Sequence, residues 1–354
     1  MIKVKLFSDY PYSVAFGGKE VQSIQYLNSL SSAIDISFLD YYKKDDLKEV
    51  DILHLFGHSS SYLNLVKHVR SKYPEVKIVV SPTFFTEKNL SYHIASLIGK
   101  KLPFSNIFRD LNKLSSMVDR VIVNSEPERK QFCSYFSGNK DVVKVLFNGV
   151  EDEFFSNKSI DVKYKDFIKS LDKFVLAVGF FDERKNTNNL IKAFLKSQAN
   201  LDSKLVLVGE PRFAELTNKT EFDTLVATYN EKVILTGLLD RKSSLLSWLY
   251  LNSEFHILPS KLETPGISNI EALMYGKNII VGDCGPVRSY FSNMATYCDS
   301  NSVESITSSI DKLVHKKEHS SEVLKKYAKE NFSMSSISRE LLRVYLQLAR
   351  GVNE

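Results

Sequence analysis

The chain has 354 residues, 43% of them hydrophobic and 25% charged, an ordinary globular balance with room for about two domains. A net charge of +5 is too modest to call for nucleic acid, although it suits an anionic ligand or an anionic lipid surface. Three scattered cysteines, Cys133, Cys284 and Cys298, argue against a disulfide framework and have no metal-ligand spacing, and no apolar run approaches the roughly 18 residues that span a bilayer.

Residues 2–7 read as a strand, not as a signal peptide, so the expected location is the cytoplasm. A turn-rich loop leads to Gly17-Gly18-Lys19-Glu20 and a helix with Val21, Ile24, Leu27 and Leu30 on one face. Strand, glycine pair and helix make a turn that can approach a phosphate closely, yet the pattern is not GxGxxG, which argues against a nicotinamide oxidoreductase. Strands at 34–39, 51–56 and 77–80 then alternate with helical pieces, the rhythm of a parallel sheet covered on both faces. His54 and His58 end one of these strands and are assigned no role. Residues 88–113 differ in texture: Leu90, Ile94, Leu97, Ile98, Phe104 and Ile107 interleave with Lys100, Lys101, Arg109 and Lys113. Such a basic amphipathic segment fits two ordinary surface helices, and equally an anionic membrane surface. A strand at 119–124, a helix at 126–136 and a strand at 142–147 end at Asn148-Gly149-Val150, after which residues 151–172 turn irregular and polar.

A second run of strands follows at 174–179, 205–209, 233–236, 255–258 and 278–281, each with a helix after it, and three helices close the chain. The stretch Pro259-Ser260-Lys261-Leu262-Glu263-Thr264-Pro265-Gly266-Ile267-Ser268-Asn269-Ile270-Glu271-Ala272-Leu273 stands out. A buried strand ends, Pro265 and Gly266 turn the loop, and a helix N-terminus points back at the strand's carboxyl end, where open α/β sheets bind ligands. Free N–H groups at Ile267 and Ser268 favour a phosphate there. Glu263 and Glu271 flank the turn, and carboxylates suit the vicinal hydroxyls of a sugar or ribose.

That string resembles the donor-site signature of the family-4 retaining glycosyltransferases of GT-B fold, which runs Pro-Ser, Glu, Pro-Gly, Glu-Ala. Gly17-Gly18, Asn148-Gly149-Val150, Gly179 with Lys185, Gly209, Gly237 and Gly285-Pro286 fall in the family's order. The resemblance implies an α/β chain of two Rossmann-like parallel-sheet domains facing a cleft. Residues 1–150 would take the acceptor, 151–172 would link, 173–330 would bind the donor, and 331–354 would cross back to the first domain. It implies a nucleoside-diphosphate sugar as donor and transfer of a hexose, with no cofactor and no metal, in keeping with the absence of Asp-x-Asp and of a metal-spaced cluster. The acceptor would be a glycan, lipid-linked at the inner face of a membrane. Lys185 and Glu263 would be the catalytic pair, Lys185 meeting the charge of the leaving diphosphate and Glu263 the sugar hydroxyls. Gly17, Gly18, Gly209, Leu238, Thr264, Gly266, Ile267, Ser268 and Glu271 would complete the donor site, with Glu271 on the ribose.

Two positions depart from the family. Relatives have arginine after the glycine that ends the first strand of the second domain, where this chain has Phe180, with Arg184 nearby as another cation. They also have a histidine near the place where this chain reads Ser81-Pro82-Thr83-Phe84. These departures keep open a non-catalytic sugar-nucleotide-binding partner, and the shared fold keeps open a sugar-nucleotide epimerase.

Overall fold

The structure, a computed structural model, describes residues 1–9, 18–40, 42–44, 46–86, 89–136, 140–152 and 160–351. The chain forms two compact units, one of Met1–Gly149 with Met334–Glu354 and one of Val150–Ser333. Residues 150–172, read above as a domain end and a linker, therefore cluster with the second unit and carry a short helix at Lys165–Lys169. Helix Met334–Arg350 packs in the first.

The first unit is a parallel sheet of β1 (Lys3–Ser8), β2 (Asp35–Phe38), β3 (Ile52–Phe56), β4 (Lys77–Ser81), β5 (Arg120–Val123) and β6 (Val143–Val145), in the order β2-β1-β3-β4-β5-β6. Every residue of β3 is buried, because Leu53 and Leu55 pack on one face of the sheet and Ile52 and Phe56 on the other. Two-sided burial explains why these strands read as continuous apolar runs. His54 is part of this core. Its Nδ1 lies 2.6 Å from the Tyr345 hydroxyl and its Nε2 2.8 Å from Ser81 Oγ, tying the last helix to β3 and β4. Burial pushes its imidazole down to about 3, so it is neutral and structural.

The second unit repeats the plan with β7 (Lys173–Val178), β8 (Ser203–Val208), β9 (Val233–Gly237), β10 (His256–Leu258), β11 (Ile279–Gly282) and β12 (Thr296–Cys298), all parallel, in the order β12-β11-β10-β7-β8-β9. The chain enters at β7, builds outward through β8 and β9, then returns to pair β10 with β7 on its other side. That reversal makes the carboxyl ends of β7 and β10 a topological switch point, where the two outgoing loops part and leave a crevice. The corresponding switch in the first unit lies between β1 and β3. Among the described residues no helix is long and apolar enough to cross a membrane.

Candidate functional site

The loops that leave β7 and β10 are sewn together. The Lys261 N–H donates to the Arg184 carbonyl at 2.8 Å, and the Asn186 side chain donates to the carbonyls of Pro259 and Ser300 at 3.2 and 2.6 Å. Asn186 adopts a left-handed backbone (φ 62°), which a short amide side chain tolerates, and it closes the loop before helix Thr187–Lys196. This lacing brings Lys185 Nζ against Glu263 Oε2, with side chains only 12% and 11% exposed. Arg184 Nη1 stands 3.4 Å from the same oxygen and donates to the Leu262 carbonyl at 3.0 Å. Ser260 Oγ and the Thr264 N–H each donate to the Glu263 carboxylate at 3.3 Å. Burial pushes the Glu263 carboxyl up, but the neighbouring charges of Lys185 and Arg184 and the hydrogen bonds outweigh it and hold the group below its ordinary value.

Two glycines make room. Gly209 ends β8 at φ +144°, and a Cβ there would stand 1.8 Å from the Gly179 carbonyl oxygen, so only glycine allows the two strand ends to approach. Gly266 (φ +81°) precedes helix Ile267–Met274, and a Cβ on it would meet Asn269 Nδ2 at 2.8 Å and Glu263 Cγ at 3.0 Å. Ile267 and Ser268 occupy the first turn of that helix, half-buried, where backbone N–H groups precede the first intrahelical bond. Thr264 is exposed beside them.

Glu271 is buried one turn further on, and its carboxylate is already engaged. Arg241 donates to Oε1 from Nη2 at 2.5 Å and from Nε at 3.2 Å, and the Tyr250 hydroxyl donates to Oε2 at 2.7 Å. Burial, followed by the Glu271 charge, lifts the Tyr250 hydroxyl well above its ordinary value, which keeps it a donor. The sequence reading missed both partners. Leu238, expected in the donor site, lies exposed after the edge strand β9. Gly18 begins helix Gly18–Leu30 in the first unit, where Lys19 pairs with Asp9 and with Glu20. Gly17 lies outside the described residues. Thus Lys185, Glu263, Gly209 and Gly266 are brought together at one switch point, with Glu271 in the helix that follows.

Residues 161–331 match the family model described as Glycosyl transferases group 1. That match falls inside the second unit. Among curated proteins, an uncharacterized glycosyltransferase of Methanocaldococcus jannaschii is 26% identical over 64% of this chain and 59% of its own length. The N-acetylgalactosamine-N,N'-diacetylbacillosaminyl-diphospho-undecaprenol 4-alpha-N-acetylgalactosaminyltransferase of Campylobacter jejuni is 28% identical over 53% of the chain and 46% of its own length. The chain thus spans about half the length of these two relatives. Among solved structures, that of Anabaena HepE in complex with UDP and glucose superposes with a TM-score of 0.72 over 98% of this chain and all of that one, at 15% identity. The α/β architecture with two six-stranded parallel sheets is that of GT-B glycosyltransferases.

Proposed function

We propose that this chain is a retaining, metal-independent glycosyltransferase that moves a hexose from a nucleoside-diphosphate sugar to a lipid-linked glycan acceptor in surface polysaccharide or oligosaccharide synthesis. The observation that carries this reading is the shielded Lys185–Glu263 pair at the switch point between β7 and β10, within the stretch similar to the group 1 glycosyl transferases. In this reading Glu263 holds sugar hydroxyls and Lys185 meets the negative charge that builds on the leaving diphosphate. Gly209 and Gly266 let the backbone approach, the N–H groups of Ile267 and Ser268 face phosphate, and Thr264 lines the same loop. Glu271 takes the ribose and Leu238 flanks the base. The acceptor attacks on the face that the leaving group vacates, within the ion pair, so the anomeric configuration is kept. In this reading leaving-group charge falls to Lys185 and backbone dipoles. UDP in the HepE complex and diphospho-undecaprenol in the name of the Campylobacter relative support the donor and acceptor classes.

The test is a thermal-shift panel of UDP-, GDP-, ADP- and dTDP-sugars, followed by assay of donor hydrolysis and transfer. A bound donor at about 100 times its Kd stabilises by about 2.7 kcal/mol. Binding without turnover would identify a non-catalytic partner, and no shift with any donor would sink the reading.

Residues 89–115 support the lipid-side acceptor. Helix Asn89–Lys101 packs through Tyr92, Ser96 and Gly99: Tyr92 lies against the core, Ser96 is fully buried, and a Cβ on Gly99 would stand 2.7 Å from the Phe108 ring of helix Ile107–Ser115. Its aliphatic residues face out, with Leu90 at 75% exposure beside Ile94, Leu97 and Ile98, and Phe104 and Ile107 extend the patch. An exposed apolar patch of this kind suits an anionic bilayer bordered by Lys101 and Lys113. Lys100 is half-buried and so is a poor probe. The protein is expected to co-sediment with anionic vesicles at low salt and to release at high salt, each exposed basic residue contributing about 1 kcal/mol. Lys101→Glu with Lys113→Glu should weaken that binding without unfolding the unit. Indifference of the wild type to anionic vesicles would make these ordinary surface helices.

A further inference from the structure

The donor-site reading, on which this inference rests, sets a doubly charged diphosphate against cations that are mostly engaged already. Lys185 and Arg184 both lean on Glu263, and Arg241 holds Glu271. Lys185 and Arg184 share the one Glu263 carboxylate, which leaves a single positive charge there for the ligand.

Arg212 stands apart from that arrangement. The loop after β8 runs alongside the loop after β7 and extends the pairing beyond the sheet. The Phe181 N–H donates to the Glu210 carbonyl at 2.9 Å, and the Arg212 N–H donates back to the Phe181 carbonyl at 2.7 Å, forming a parallel bridge between Phe181 and Pro211. With Gly209 closed on the Gly179 carbonyl, this fixes Arg212 beside Phe180. The guanidinium carbon lies 3.3 Å from the centroid of the Phe180 ring. Among the described residues no carboxylate forms an ion pair with Arg212, and the residue is exposed. A guanidinium stacked on an aromatic face keeps its N–H fork free at the edge, the geometry that phosphate oxygens accept in pairs. The Lys185 stem passes the same place, its Cε 3.8 Å from where a Cβ would stand on Gly179, the residue before Phe180.

We propose that Arg212, held on the ring of Phe180, is the second cation of the diphosphate site and contacts the pyrophosphate of a nucleoside-diphosphate sugar alongside Lys185. Phe180 is then a positioning residue, a plate that fixes the arginine without neutralising it. The competing cation is Lys261, exposed in the loop after β10, whose side chain no aromatic ring or carboxylate fixes among the described contacts.

The experiment is calorimetric titration of the full chain with UDP, with uridine and with inorganic pyrophosphate, on wild type and on Arg212→Ala, Arg212→Lys, Phe180→Ala and Lys261→Ala. Arg212→Ala is expected to lose about 10-fold or more in affinity for UDP and pyrophosphate, the loss typical of a charged hydrogen bond, with uridine affinity unchanged. Phe180→Ala, which keeps the charge and removes the plate, should lose about 2- to 5-fold on the same two ligands. Arg212→Lys should fall between the wild type and Arg212→Ala. Because Arg212 is exposed, the melting temperature of the ligand-free variant should match wild type. Wild-type pyrophosphate and UDP affinity in Arg212→Ala, with the loss appearing in Lys261→Ala, would overturn the assignment. A wild type that binds neither ligand would overturn the donor-site reading itself, a result distinct from variants that bind equally well.

Discussion

Lys185→Ala is expected to lower turnover by about 10²- to 10³-fold, the loss seen when one preorganised donor to a developing negative charge is removed. Nucleoside binding should change little, because in the proposed site the lysine faces the diphosphate and not the base or ribose. The variant must be compared at equal folded fraction. Lys185 and Glu263 shield each other, and removing one partner of a buried pair costs about 3–5 kcal/mol. Arg184 at 3.4 Å and Ser260 at 3.3 Å remain on Glu263, so the cost should lie at the lower end. The pH dependence gives an independent check. Burial raises the Glu263 carboxyl, and Lys185 and Arg184 more than reverse this, leaving it below the ordinary 4.5. A carboxyl held low in the fold stabilises it above the unfolded pKa, and that stability is lost as the pH falls through the folded value. Wild type should therefore lose stability below about pH 4.5, and Lys185→Ala should show a smaller loss over the same window. Wild-type turnover in a folded Lys185→Ala would move the leaving-group role to Arg184 or Arg212.

The parts of this molecule that were legible in its sequence are those whose cause is local. Strands such as β4 and β8 show as apolar runs because both faces of each sheet are covered. The turn after β10 shows because Pro265 and Gly266 have few other uses between a strand and a helix. Strand β12 did not show, since Thr296-Tyr297-Cys298 has no apolar run and joins the sheet through its backbone pairing with β11. The placement of β10 beside β7, which creates the crevice, is a matter of topology that no window of residues contains. The same limit hid the partners in the site. Arg241 lies in a polar loop, Leu238-Leu239-Asp240-Arg241-Lys242, and only the fold carries it to Glu271. Arg212 likewise reaches Phe180 only because β7 and β8 are neighbours. On helix Asn89–Lys101 the amphipathic pattern was visible, but its polarity was not: whether Ser96 and Gly99 or Leu97 and Ile98 face inward depends on what packs against it.

Arg241→Met should destabilise the second unit and yet make it respond more strongly to nucleotide. Glu271 is 4% exposed and Arg241 32%, so the methionine variant strands a buried carboxylate with Tyr250 as its remaining side-chain donor among the bonds described above. A loss of about 3 kcal/mol is expected, the low end for a broken buried pair because the arginine is partly solvated. For a unit of this size that corresponds to a fall in Tm of about 6–12 °C. The opposite effect on ligand binding follows from lone pairs. A carboxylate offers about four acceptor sites, of which Arg241 occupies two on Oε1 and Tyr250 one on Oε2. A ribose that donates both hydroxyls to Glu271 must therefore displace the guanidinium in wild type, but meets an open Oε1 in the variant. The Tm increment at saturating nucleoside diphosphate should then be larger in Arg241→Met than in wild type. A second substitution separates this from a general loosening of the fold: Glu271→Gln on the Arg241→Met background removes the stranded charge and should recover much of the lost stability. It should also abolish the extra nucleotide response. If nucleotide instead stabilises Arg241→Met less than wild type, Arg241 belongs to the nucleotide contact itself, and the assignment of Glu271 to the ribose must be given up or shared with the arginine.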